Sequence, residues 1–177
     1  MPVLKKDSMK WTEVYKKSHH KWCESRSPAF YHASGGNTML VNYPKVTGTN
    51  GLRRAIINFM DWEGHHLEAT NTMGRPIAKY AEKFSIMTGQ LHKVHIGIDW
   101  QKGSGIPGSS DAKGHINHNG SKFAIPLYVE IKYGKDVMSD EQKEYDLKIT
   151  STGGIYLIAK TIDGFFEWYF NFINSEI

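Results

Sequence analysis

A single cysteine, Cys23, stands in the 177 residues. That excludes an intramolecular disulfide and any thiolate zinc cluster, so a reducing, intracellular compartment is the expectation. The chain also lacks an apolar run approaching the roughly 20 residues that span a bilayer. Its opening, MPVLKKDSMKW, has none of the apolar core that a secretory signal needs. No membrane partner is therefore expected, and a cytoplasmic setting is. Charge of one sign is scarce as well: 22 Lys and Arg against 18 Asp and Glu leave +4. The net positive charge leans towards a polyanionic partner, but the lysines and arginines are scattered rather than packed into one basic block. What is present is 40% hydrophobic and 12% aromatic residues, enough at this length to bury one core unaided.

Residues 1–48 read as an irregular extension. It holds a short helix around 11–17, the loop SPAFYHASGGNT, and a short strand from Met39 to Tyr43 ended by Pro44. The spacing of Leu52, Ile56, Phe59 and Met60 predicts a helix from about Asn50 to Glu63, capped by Thr49 or Asn50 and stopped by Gly64. HHLEATN then reads as a strand, TMGRP as a turn, and Pro76 as the start of a short helix to Lys83. Ser85 to Trp100 holds one or two strands, with Val94, Ile96 and Ile98 alternating on one face.

QKGSGIPGSS is a loop, read as a mobile flap; it lacks the Gly-Lys-Ser/Thr ending of a phosphate-binding Walker loop. Asp111 to Ile116 and Phe123 to Tyr133 look like two strands joined by the turn Asn119-Gly120. Ser139-Asp140-Glu141-Gln142 has the form of a capping box opening a helix, which Gly153-Gly154 closes. Ile155 to Ala159 is a short apolar strand expected to be buried on both faces. Ile162, Phe165, Phe166, Tyr169 and Ile173 mark a final helix, and the Trp168-Tyr169-Phe170 cluster reads as core packing. The order predicts an α/β fold, a central mixed sheet flanked by helices, with residues 49–177 as its domain.

The period of two in Leu127-Tyr128-Val129-Glu130-Ile131-Lys132 sends Leu127, Val129 and Ile131 to one face and Tyr128, Glu130 and Lys132 to the other. One face is core; the other sets an acid beside an amine, near a strand that begins with Asp111. Carboxylates are the hard oxygen ligands that Mg²⁺ prefers, and a lysine nearby can orient or deprotonate a water attacking a phosphodiester. A Glu-x-Lys pair in a strand is also a common surface ion pair. Gln142 shares a helix face with Met138, Tyr145 and Ile149. Its amide there needs a partner, either the capping box at Ser139 or the site itself.

Four blocks in order carry a resemblance: Gly108-Ser109-Ser110-Asp111, Tyr128-Val129-Glu130-Ile131-Lys132-Tyr133-Gly134-Lys135-Asp136, Ser139-Asp140-Glu141-Gln142-Lys143, and Gly153-Gly154-Ile155-Tyr156. Together they resemble the VRR-NUC domain, a branch of the PD-(D/E)XK nuclease superfamily. The likeness extends from about Lys102 to Trp168, and Thr49 to Ile77 looks like the first helix and strand of small phage-type members. The resemblance implies that Asp111, Glu130 and the backbone carbonyl of Ile131 hold Mg²⁺ or Mn²⁺, that Lys132 serves the water, and that Gln142 supports the site. Asp99, in His95-Ile96-Gly97-Ile98-Asp99, is the alternative first carboxylate. Many superfamily members also place an acid on the first helix; here Glu63 lies at its far end and Asn50 occupies the nearer place.

The activity implied is hydrolysis of DNA, on branched, Holliday-junction-like substrates by a homodimer. Two alternatives stand beside it: a catalytically silent nucleic-acid-binding module of the same fold, or a restriction-type endonuclease acting on specific duplex sequence. Nine histidines invite a zinc site, but neighbours such as His65 and His66 point to opposite faces of a strand and no cysteine joins them. Arg53, Arg54, Arg75, Lys102 and Lys113 read as a solvated charged set, or as phosphate contacts if they flank the site.

Overall fold

A computed structural model describes residues 10–70, 75–101, 105–118, 121 and 123–175. Four strands form the central sheet in the order β1 (His66–Ala69), β4 (Ala112–Asn117), β5 (Ala124–Ile131) and β6 (Ile155–Ala159). β4 pairs antiparallel with both neighbours and β6 runs parallel to β5, so the sheet is mixed, as predicted. β2 (Arg75–Ser85) and β3 (Gln90–Gln101) form a separate two-stranded ribbon.

Helices cover the sheet. α3 (Thr49–Trp62) buries Leu52, Ile56, Phe59 and Met60, the predicted stripe, and α5 (Ile162–Ile173) buries Phe165, Phe166 and Tyr169. Both meet Leu127, Val129 and Ile131 of β5 in one core. α3 starts from Gly48 with no side-chain cap, so neither Thr49 nor Asn50 caps it; Gly64, at φ 85°, ends it as expected. α4 (Asp140–Ser151) packs on β6. No helix among the described residues is long and apolar enough to cross a membrane.

Five expectations are corrected. The opening is helical rather than irregular: α1 spans Trp11–Arg26, and α2 (Pro28–Ala33) follows. Val14 and Tyr15 of α1 lie in the same core as α3 and α5, and the Tyr15 hydroxyl accepts from Asn58 at 3.1 Å. Met39 to Tyr43 is not a strand; it is irregular chain that lays Val41 on the core. Pro76 to Lys83 is not a helix but most of β2, because pairing along the whole length of β3 outweighs its local helix formers. Within β3, a bulge opposite Lys79 and Tyr80 leaves Ile96 unpaired, so Val94 faces away from Ile96 and Ile98. β6 is an edge strand with Ile158 exposed, not a strand buried on both faces. The predicted Asn119-Gly120 turn and most of TMGRP lie outside the described residues.

Candidate functional site

The site forms at the end of β5, on the face opposite the core. Alternation turns Leu127, Val129 and Ile131 inward and leaves Tyr128 and Glu130 towards α4, with Lys132 following. Glu130 and Lys132 are both buried, at 3% and 6% exposure, so this is not the solvated surface pair that Glu-x-Lys often makes. The Lys132 Nζ lies 3.1 Å from Glu130 Oε1 and 3.6 Å from Asp136 Oδ2.

Gln142 fulfils both of its readings at once. Its Oε1 accepts from the Ser139 N–H at 3.0 Å, while the Ser139 Oγ accepts from the Gln142 N–H at 3.3 Å, a complete capping box. Its Nε2 donates to Glu130 Oε1. One amide thus fixes the start of α4 and orients the carboxylate.

Asp111 reaches the same place from β4. Its Oδ2 accepts from the Ile131 N–H at 3.0 Å, and its backbone carbonyl accepts from the Thr70 N–H at 2.9 Å. Ile131, whose carbonyl is the expected third ligand, thus meets Asp111 through its N–H. Gly108 makes the approach possible: at φ 76° its backbone lies so close to α4 that a Cβ would sit 2.4 Å from the Glu141 carbonyl oxygen. The segment read as a flap is seated on α4 at this point.

Asp99 is elsewhere. It projects from the ribbon, largely exposed, 3.9 Å from Lys79. Of the two candidates for the first carboxylate, Asp111 is the one the fold brings to Glu130. α3, the helix that the resemblance makes the first, brings no acid to the site: Asn50 is exposed and accepts from Arg53 at 3.1 Å, and Glu63 faces Lys21 at the other end.

Burial raises the Glu130 carboxyl above the usual carboxylate range; the Lys132 hydrogen bond opposes this and the negative charge of Asp111 adds to it. Four buried side-chain polar atoms at or beside these residues have no hydrogen-bond partner among the described residues: Glu130 Oε2, the Tyr156 hydroxyl, Ser109 Oγ and Thr70 Oγ1. Buried polar groups are normally satisfied, so these four atoms retain bonding capacity that solvent or a ligand could use. Two carboxylates with one orphaned oxygen fit a hard cation that keeps most of its waters, as Mg²⁺ does. They do not fit a metal needing a full protein cage; no group of three or more His, Cys, Asp or Glu gathers among the described residues.

Tyr156 belongs to the fourth block of the resemblance, which implies no role for it. The parallel register places it beside Tyr128, and Tyr145 of α4 makes edge contacts with both rings. Burial first, then the charges of Glu130, Asp146 and Asp111, push its phenol well above the usual tyrosine range. The signal was available: in β6 the period of two sets Tyr156 opposite to Ile155 and Leu157, on the Glu130 face.

The histidines are structural where they are buried. Half-buried His65 meets the Tyr169 hydroxyl through Nε2 at 3.0 Å and accepts from the Asn117 N–H through Nδ1, whereas His66 and His115 are exposed, their rings tilted with centroids 5.4 Å apart. Arg53 and Arg54 line a groove of about 450 Å³ with Asn50, Ile57, Asn58 and Ala69, next to the Thr70 that touches Asp111. Lys113 faces Glu68 at 3.8 Å, whereas Lys102 and the Arg75 side chain lie outside the described residues. No protein-family model matches this chain, and neither does any curated protein or any solved structure.

Proposed function

We propose that this protein is a metal-dependent deoxyribonuclease acting at Asp111, Glu130 and Lys132. The observation that carries the reading is the state of Glu130. It is buried, with Oε1 held by Lys132 and Gln142 and Oε2 left without a partner among the described residues, beside a second carboxylate. Such a pair repels phosphate unless a cation intervenes. Asp111, Glu130 and the Ile131 carbonyl would hold Mg²⁺ or Mn²⁺, which supplies charge neutralisation at the phosphate and polarises its oxygens.

The rest belongs to the chain. Lys132 Nζ, fixed between Glu130 and Asp136, orients the attacking water and keeps positive charge next to the developing phosphorane. Gln142 and the Ile131 N–H hold the two carboxylates in place. The water oxygen bonds to phosphorus, the bond to the 3′ oxygen breaks, and the water's proton passes to that oxygen. A 5′-phosphate and a 3′-hydroxyl remain. The groove bearing Arg53 and Arg54 is placed to meet the flanking phosphates. Branched DNA is the first substrate to try, cut on two strands by the two sites of a homodimer.

The test incubates purified protein with labelled four-way, flap and linear DNA in Mg²⁺, Mn²⁺ or EDTA, beside Glu130→Ala and Lys132→Ala. Metal-dependent cutting lost in both variants supports the reading. DNA binding without cutting in any metal favours a silent binding module, and cutting untouched by both substitutions places the chemistry elsewhere.

A further inference from the structure

The ribbon has two unlike faces. Cross-strand partners share a face, so Pro76 and Trp100, Ala78 and Ile98, Tyr80 and His95, Glu82 and Lys93, and Phe84 and Leu91 line one side, with the bulged Ile96 among them. The other side mixes Ile77, Ala81 and Val94 with Lys79, Lys83, His92 and Asp99. On the first side Tyr80, Phe84, Leu91, Ile96, Ile98 and Trp100 are each 49% to 70% exposed. Neither strand packs substantially on another element of the fold. An isolated two-stranded ribbon is marginal in water, and these six side chains leave roughly 700 Å² of apolar surface open. That exceeds the roughly 300–600 Å² of the largest patch on a typical monomer and approaches the ~800 Å² that each partner gives to a stable complex.

We infer that this face is the contact between two copies of the chain, stacked ribbon on ribbon. Self-complementarity identifies the occupant. With the two-fold axis along the ribbon, β2 of one copy lies over β3 of the other. Glu82 then meets Lys93 twice, Phe84 meets Leu91, and the small Ala78 and Pro76 meet the large Ile98 and Trp100. Turning one ribbon end for end about the Glu82 position sets Glu82 against Glu82. DNA is a poor match for a face that is apolar and carries an acid at its middle; it would take the lysine-bearing side. The contact would build the homodimer of the nuclease reading, but its test uses none of the site residues, so either can fail without the other.

Sedimentation of the full chain at micromolar concentration, without DNA or metal, tests it. Wild type is expected at twice the chain mass. Glu82→Lys and Lys93→Glu should each weaken association at least tenfold, and an equimolar mixture of the two should restore the dimer by opposite charge. Hydrogen exchange of wild type gives a check that needs no variant: ribbon amides should lose protection on dilution while those of β4 and β5 keep it. A wild-type monomer, charge variants that remain dimers, a mixture that stays monomeric, or ribbon protection independent of concentration would each overturn the inference.

Discussion

Replacing Gly108 with alanine perturbs the approach to Asp111 without touching any charged group. Two costs add. A non-glycine residue at φ 76° costs about 1–2 kcal/mol. The added Cβ would lie 2.4 Å from the Glu141 carbonyl oxygen and 2.5 Å from its carbon, so the segment must move off α4 by about 1 Å to reach ordinary contact. Overpacking of this kind costs about 1–3 kcal/mol more. Gly153→Ala is the matched control, because its φ is 83° and nothing lies within 4 Å of its Cβ. It should cost only the same backbone penalty, about 1–2 kcal/mol. Urea unfolding should therefore separate the two by about 2 kcal/mol, and the melting temperature of Gly108→Ala should fall roughly 6–12 °C. Cleavage should drop with Gly108→Ala even at temperatures where it is folded, since Asp111 follows three residues later. Equal destabilisation by both substitutions would falsify the claim that close contact with α4, rather than backbone sign alone, fixes this segment.

Gln142→Glu keeps an oxygen for the Ser139 N–H but sets a second negative charge against Glu130. It should leave α4 nearly as stable as wild type while abolishing cutting, whereas Gln142→Ala should lose about 1 kcal/mol as well; circular dichroism melts beside the DNA assay decide. The raised Glu130 carboxyl keeps its proton to higher pH in the folded chain than in the unfolded one. Its burial penalty is thus absent below about pH 4.5 and grows as pH rises through the folded value. In EDTA, Glu130→Gln should flatten that fall in stability, and added Mg²⁺ should raise the melting temperature of wild type but not of the variant. Tyr156→Phe removes a buried hydroxyl that has no partner among the described residues. Unfolding should show it unchanged or up to about 1 kcal/mol more stable, while the cleavage rate falls; a clear loss of stability would mean the hydroxyl is bonded.

The alternation in β5 was legible because both faces of a strand are written in consecutive residues, and α3 and α5 because their apolar stripes are wide. The capping box was legible too, since it needs only Ser139 and Gln142. Less of α1 could be read: its second half, Ser18 to Arg26, is polar and histidine-rich, and buries Ser18 and His20 rather than apolar groups. His20 is accommodated by the Tyr31 hydroxyl at 3.0 Å, a partner supplied by the next helix. β2 was misread for a related reason, since Ala78, Lys79, Ala81, Glu82 and Lys83 favour a helix locally and only pairing with β3 overrides them. At the site, Glu130 and Lys132 come from one strand and were visible together. Choosing Asp111 over Asp99 depended on which strand joins the main sheet, and that is settled by long-range pairing.

The two faces of β5 differ in what they contribute. Leu127, Val129 and Ile131 are fully buried and each supplies about 1.5–3 kcal/mol of hydrophobic stabilisation. On the other face, Glu130 and Lys132 give up nearly all their hydration for one 3.1 Å contact and a few hydrogen bonds, and buried pairs seldom recover that cost against apolar side chains of similar size. The double substitution Glu130→Met with Lys132→Met should therefore be as stable as wild type, or up to about 1–4 kcal/mol more so. Glu130→Met alone should be destabilised, because Lys132 is then left buried with only the exposed Asp136 at 3.6 Å. A double-mutant cycle by urea unfolding measures this directly. A double variant that loses about 3–5 kcal/mol would show that the pair stabilises the fold, and its burial would then need no chemistry to account for it. A stable double variant that binds no Mg²⁺ leaves the acid and the amine without a structural reason to be there, which is the expected mark of residues placed for function.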